Sequence, residues 1–307
     1  MGKYLLSRLV QTIPVLLGVT ILTFSMIHLT PGDPVTIMMG ERGATAEDIQ
    51  RIRDQMGLND PLPIQFANFF WKVLRGDLGE SLRSRRPVIE EIVERIPQTV
   101  QLTVAAEILA ITLGVTLGIA AAMARTPLLE TAVMAFALLG LSMPTFWSGL
   151  LFILLFALRL GWLPITSTDT LQGLVLPAAT LALPAAAVLA RMTRSSLLEV
   201  LRQDYIRTAR SKGLSNRAVV LRHALKNAFI PVMTIIGLQF GGLLSGAFIV
   251  ETVFARPGLG RFTINAILAR DFPQVQAIVL IIAVIYVGVN LLTDLAYAFL
   301  DPRIRYE

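Results

Sequence analysis

Residues 102–123 read LTVAAEILAITLGVTLGIAAAM, 22 residues with one ionisable side chain, Glu107, and no proline. A run of about 20 apolar residues rising 1.5 Å each is long enough to cross a bilayer core. Five further runs have this character: Leu9 to Leu29, Ala132 to Leu158, Leu171 to Ala190, Phe229 to Val250 and Val275 to Leu300. The expected fold class is therefore an all-α polytopic membrane protein with six transmembrane helices. The run from Ala132 is interrupted at Ser142-Met143-Pro144 and is read as one kinked helix in preference to two short ones. Pro177 and Pro184 in the fourth run are tolerable where neighbouring helices satisfy the freed carbonyls. The first run could pass for a signal segment. It lacks a small-residue cleavage site and is read as a span.

Composition agrees. The chain of 307 residues is 54% hydrophobic and 16% charged, with mean hydropathy +0.67. Soluble domains carry about 25% charged residues, so a soluble globular domain, a disordered chain and a collagen are excluded. Zero cysteines exclude a disulfide framework, a thiolate metal site and a cysteine nucleophile. His28 and His223 are too few for a histidine metal centre. The net charge of +6 points to membrane orientation and anionic headgroups rather than nucleic acid.

Six spans put both termini on one side. The segments 1–8, 124–131, 191–228 and 301–307 hold fourteen Lys and Arg, against four in 159–170 and 251–274. The basic side faces the cytoplasm. Segment 30–98 is then an extracytoplasmic segment between the first two spans, following residues 1–29. Residues 99–300 form the main membrane domain, and 301–307 a tail. Within 30–98, bounded by Pro31-Gly32-Asp33-Pro34 and Pro97, Thr45 can cap a helix with Asp48 in its first turn and Gly57 past its end. Ile64 to Leu74 carries Phe66, Phe69, Phe70 and Trp71 and suits the membrane interface. Pro87 to Ile96 reads as a third helix. The segment is either a docking platform for an outer partner or a lid on the span ends.

The inner segment 191–228 has nine basic residues and two acids, Glu199 and Asp204. Helices are expected over Met192 to Leu201, Tyr205 to Lys212 and Asn216 to Ala228, with a stop at Gly213 and a cap at Ser215 or Asn216. A plain helix connection takes about 2–8 residues. Nearly forty suggest mechanical contact with another protein.

At this point the sequence resembles a known family. The stretch Asp204-Tyr205-Ile206-Arg207-Thr208-Ala209-Arg210-Ser211-Lys212-Gly213 is similar to the signature of bacterial ABC-importer permeases, Glu-Ala-Ala, three residues, then Gly. Ala209 and Gly213 match; Arg207 and Thr208 replace the Glu and the first Ala. Six further blocks resemble the B-type subunit of dipeptide and oligopeptide permeases: Leu29 to Val35, Gly76 to Ser81, Val250 to Phe254, Pro257 to Arg261, Arg270 to Pro273 and Asp301 to Tyr306. The resemblance implies a type I importer permease, a non-catalytic subunit in the cell inner membrane. It would pair with a C-type permease, two ATPase subunits and an extracytoplasmic substrate-binding protein to take up di- or oligopeptides. No Gly-x-x-x-x-Gly-Lys-Ser/Thr loop is present. The chain is thus expected to hold no cofactor, with ATP and Mg on partner subunits. Tyr205, Arg207, Thr208, Ala209, Arg210, Lys212 and Gly213 would form the helix that docks on the ATPase, with small Ala209 allowing close approach.

Alternatives are the same machinery carrying glutathione, a nickel chelate or an oligosaccharide, and, in another class, an ion-gradient-driven transporter. The latter would need central ionisable groups, and Glu107 is the clear candidate. Glu107, Gln239, Gly241, Gly242, Ser245 and Asn290 are candidates for the pathway or for helix packing. Asn290 and Asp294 lie one turn apart. Gly237/Gly241 and Gly242/Gly246 in the fifth span, and Gly114/Gly118 in the second, have the spacing of close-packed helices.

Overall fold

In a computed structural model the described residues are 2–29, 32–33, 35–36, 45–55, 57–124, 126–166 and 170–300. Of the sequence features above, Pro31, Pro34 and the tail from Asp301 lie outside them, as does the side chain of Asp294.

The described residues fold into α-helices α1 (Gly2–Leu29), α2 (Ala46–Gln55), α3 (Leu62–Leu74), α4 (Val88–Ala122), α5 (Pro127–Ser142) and α6 (Thr145–Phe152, continued as a π-helix over Ile153–Arg159). Then come α7 (Gln172–Val200), α8 (Asp204–Ser211), α9 (Leu225–Val253), α10 (Leu259–Leu268) and α11 (Phe272–Leu300). Among the described residues five helices are long and apolar enough to cross a membrane, or six spans if α5 and α6 together make one. The all-helical, polytopic expectation is met.

Several boundaries differ from the expected ones. The helix expected over Pro87 to Ile96 and the second span are one 35-residue helix, α4, running through Pro97. Proline removes one donor and crowds one carbonyl, and apolar contacts on both sides of it hold the helix through the defect. The inner helix expected from Met192 is likewise the end of α7. Asn216 to Ala228 leads into α9 through a π-helical stretch, Val219–Ala224. Between 251 and 274, read as a plain loop, lies α10.

The third run is not a kinked helix. The chain bends by 107° between its halves. Met143 is extended (φ −86°, ψ 132°), as is Pro144 (φ −57°, ψ 133°). Proline pushes the preceding residue out of the α region, and Pro144 itself is extended. The hydrogen-bond ladder therefore stops and restarts, with Trp147 and Ser148 N–H donating to Pro144 O.

The residues cluster into two compact units. In the unit of residues 98–256, α7 is the central helix, with two thirds of its most apolar window buried. Leu102, Ala106 and Ala110 of α4 and Leu243, Ala247 and Val250 of α9 pack on Leu181, Ala182, Ala185 and Leu189 of α7. The fit depends on missing side chains. A Cβ on Gly114 would lie 2.5 Å from Leu189 Cβ, one on Gly118 2.6 Å from Ala190 O, and one on Gly140 2.6 Å from Leu183 Cγ. Gly114 and Gly118 thus act as the close-approach pair their spacing suggested.

The other unit joins residues up to 97 to those from 257 onward. Its core contains Val88, Ile92, Leu259, Phe262, Ala266, Val275 and Ile278. The end of α1 packs on the start of α11, where Gln276 Nε2 donates to Thr23 O at 2.7 Å. Phe24 meets Phe66 and Phe69 of α3 at ring distances of 5.3 and 5.8 Å. At α2, Thr45 and Asp48 exchange the expected caps: Asp48 N–H donates to Thr45 Oγ1 and Thr45 N–H to Asp48 Oδ2, both at 3.3 Å. Gly57 follows at φ +67°.

Candidate coupling helix and polar groups of the spans

Helix α8 has apolar side chains at Ile206 and Ala209, one turn apart on one face. Both are buried, against Leu197 at the end of α7, Val219, Val220 and Ala224 of the π-helical stretch, and Ala228 of α9. Ser196 Oγ donates to Ala228 O at 2.8 Å in the same buried layer. Asn227 Nδ2 donates to Tyr205 Oη at 2.8 Å. Ser215 caps the following turn by accepting from Ala218 N–H. The short helix is thereby fastened to the ends of two long helices.

The remaining face is open. Tyr205, Arg207, Thr208, Arg210, Lys212 and Gly213 are all exposed. Arg207 reaches Asp204 at 3.9 Å, but both side chains are at least 80% exposed, and such pairs contribute little. Gly213 has φ +78° and nothing within 4 Å of where a Cβ would stand. Its requirement is conformational rather than steric. Ala209 behaves differently from its neighbours in the motif. It faces inward, so the small side chain lets α8 approach the ends of its own spans.

The polar groups of the spans divide. Glu107 is 7% exposed, and neither carboxylate oxygen has a hydrogen-bond partner. In an apolar helix bundle that is a costly placement. Gln239 Nε2 donates to Ala185 O at 3.2 Å, tying α9 to α7, while its Oε1 is buried without a partner. Gly241 is buried; Gly242 and Ser245 are exposed. A Cβ on Gly246 would come within 2.9 Å of Leu181 Cδ1, whereas one on Gly242 meets nothing within 4 Å. Gly242 and Gly246 therefore do not form one seam. Gly246 packs against α7, and Gly242 lies with Leu238, Ser245 and Ile249 on an open stripe. Asn290 is half-buried on α11, in the other compact unit.

Two polar clusters were not assembled from the sequence. In the unit of residues 98–256, Thr99 Oγ1 donates to the fully buried Glu251 at 2.6 Å. Arg256, 2% exposed, donates from Nη2 to Gln98 Oε1 at 2.9 Å and Gln101 Oε1 at 3.3 Å. Burial lowers the Arg256 guanidinium from its ordinary value, and the charge of Glu251 opposes that shift. In the other unit, Gln274 Nε2 donates to the buried Glu91 at 2.9 Å and Ser81 Oγ to Asp271 at 2.7 Å. Glu251, Ser81 and Asp271 stand in the short blocks that carried the family resemblance. That was the available signal, and it gave no pairing.

Residues 1–103 match the model of the N-terminal region of binding-protein-dependent transport system membrane components. Residues 114–306 match that of the binding-protein-dependent transport system inner membrane component. The glutathione transport system permease protein GsiC of Salmonella typhi is 46% identical over 307 residues, with all of both chains covered. A putative peptide transport system permease protein of Brucella abortus is 44% identical over 315 residues, again with full coverage of both. The MetNI methionine ABC transporter, solved in inward-facing conformations, has a similar chain fold: TM-score 0.60 at 17% identity, over 70% of this chain and 99% of that one. This polypeptide belongs to the binding-protein-dependent transport system inner membrane components, the multi-pass permease subunits of ABC importers.

Proposed function

We propose that the chain is one of two permeases forming a path for short peptides, glutathione included, and that ATP hydrolysis on separate subunits drives it. The observation that carries this reading is the fastening of α8. Its apolar face is seated on the ends of α7 and α9, and its cationic face is open. A push on that face moves two long helices together, because bonds from Ser196 and Asn227 cross the joint. Tyr205, Arg207, Thr208, Arg210 and Lys212 offer hydrogen bonds and positive charge to carboxylates of an ATPase, and Gly213 turns the chain away. ATP and Mg belong to those ATPases, and the excess of Lys and Arg in segments 1–8, 124–131, 191–228 and 301–307 supports a cytoplasmic side for both termini. Segment 30–98 then faces an extracytoplasmic binding protein.

The second permease covers apolar faces left open in this chain, among them the stripe through Gly242 and Ser245. Substrate range is supported by relatives whose names specify glutathione and peptides. The test is reconstitution with the second permease, the ATPases and the binding protein. Uptake of labelled dipeptides and glutathione should require all components and ATP. Full-rate uptake by this chain alone, without nucleotide, overturns the reading.

A further inference from the structure

A cavity of about 430 Å³ lies within the unit built from the chain's two ends. That is inside the roughly 300–1,000 Å³ range of small-molecule sites. One side is apolar, formed by Phe24 and Ile27 at the end of α1, Phe69 of α3, and Ala277 and Leu280 near the start of α11. Because α1 and α11 are membrane-spanning helices, this side belongs to the edge of the hydrocarbon layer. The other side is charged and balanced: Lys72 and Arg85 against Asp77 and Glu80.

The charged side is built rather than incidental. Glu80 and Arg85 stand on a small hairpin in which Ser81 N–H donates to Arg86 O and Val88 N–H to Gly79 O, both at 3.0 Å, and Lys72 is on α3. The buried Ser81–Asp271 bond fastens that hairpin. Arg85, one of the lining residues, sits at φ +60°, a backbone conformation that non-glycine residues seldom adopt. Strain of this kind persists where the surroundings enforce it and clusters at binding sites. Asp77 spends one oxygen on Gly79 N–H at 3.0 Å, which leaves the other available. On the near wall, Gln65 donates from Nε2 to Leu58 O and Asp60 O. That turns its Oε1 to accept from His28 Nε2 at 3.0 Å and fixes the imidazole at the rim.

The geometry points to a phospholipid site for a headgroup that carries both a phosphate and a primary amine, with its acyl chains against Phe24, Ile27 and Leu280. Lys72 and Arg85 bind the phosphate through charge-assisted hydrogen bonds. Asp77 and Glu80 accept from the ammonium. A quaternary ammonium has no hydrogen to donate, and an anionic headgroup leaves the two carboxylates unbalanced. The site therefore discriminates by headgroup. It sits where α3, with exposed Leu62, Trp71 and Leu74, lies as an interfacial helix, so the bound lipid seals α3 to the ends of α1 and α11.

The test is native mass spectrometry of the full-length chain after exchange with an equimolar mixture of phosphatidylethanolamine, phosphatidylcholine and phosphatidylglycerol. One phosphatidylethanolamine should be retained about tenfold over either competitor, the discrimination of a single well-made polar contact. Lys72→Glu, and separately Glu80→Gln with Asp77→Asn, should each remove about that factor. Equal retention of the three lipids by the unsubstituted protein overturns the proposal without reliance on any variant. So does stoichiometric displacement of the lipid by a free dipeptide, which would make the cavity a peptide site.

Discussion

Ser81 donates to Asp271 at 2.7 Å across 190 positions of sequence, and both residues are about 98% buried or more. The carboxylate also accepts from Arg83 N–H and, at the start of α11, from Gln274 N–H, each at 3.3 Å. Ser81 Oγ accepts in turn from Arg83 and Ser84 N–H. One aspartate therefore holds a hairpin near the first third of the chain to the cap of the last helix. Losing one partner of a buried hydrogen bond to a charged group costs about 1.5–3 kcal/mol. Ser81→Ala and Asp271→Ala should each destabilise the purified protein by about that amount. The double substitution should cost less than their sum. Additive losses in thermal unfolding would show that the two side chains act independently.

Gly114 and Gly118 are the tightest points of the α4–α7 contact. A methyl group at Gly114 would come within 2.5 Å of Leu189 Cβ and 2.8 Å of Ala186 O. Overpacking of a filled core costs about 1–3 kcal/mol, and larger groups cost more. Gly114→Val should abolish recovery of folded, monodisperse protein. Gly242→Ala, where a Cβ meets nothing, should fold normally. Equal yields in size-exclusion chromatography would contradict the packing.

Glu107 is buried with neither oxygen bonded. Substitution of an unpartnered buried polar group by an apolar residue of similar volume relieves a penalty of about 1–3 kcal/mol. Glu107→Leu should therefore raise the unfolding temperature, and Glu107→Gln should change it little. A lower unfolding temperature for Glu107→Leu would contradict this and mean that the carboxylate is stabilised in the folded protein.

The inward and outward faces of α8 should separate in function. Ala209→Trp forces a large ring into the layer of Leu197 and Val220 and should lower stability. The combined Arg207→Glu, Arg210→Glu and Lys212→Glu variant alters exposed side chains and should fold normally. It should lose co-purifying ATPase and ATP-driven uptake. Gly213→Val requires a β-branched residue at φ +78° and costs about 1–2 kcal/mol locally, so uptake should fall while membrane insertion persists. Normal ATPase recovery with the triple variant would sink the docking role.

Asp33 accepts from the Thr36 hydroxyl at 2.6 Å and pairs with Arg53 of α2 at 2.7 Å. The Thr36 hydrogen bond first, and then Arg53, lower its pKa below the ordinary aspartate value. A depressed folded-state pKa gives stabilisation that is present above the unfolded value, about 3.9, and is lost as pH falls through the folded value. The protection factors of the α2 amides, corrected for intrinsic exchange, should therefore fall below about pH 4, and Asp33→Asn should remove that acid dependence. An unchanged pH profile in the variant would show that α2 is held elsewhere.

The sequence by itself determined the class of this protein. Apolar runs of about 20 residues have one low-energy environment, a bilayer, and one backbone form that satisfies its own polar groups there. Local signals were equally readable: the Thr45–Asp48 cap, the positive φ at Gly57 and Gly213, and the close-approach pair Gly114 and Gly118. Each depends on residues within one or two turns. Continuity across Pro97 and the full break at Pro144 were decided by tertiary contacts and by two consecutive extended residues, neither of which hydropathy reports. The inward turn of Ala209 and the splitting of Gly242 from Gly246 needed the position of α7, because helix spacing says which residues share a face but not what that face meets. The Ser81–Asp271 and Thr99–Glu251 bonds join residues more than 150 positions apart. A hydrogen bond depends on distance in space to within a few tenths of an ångström, and only the folded chain sets that distance.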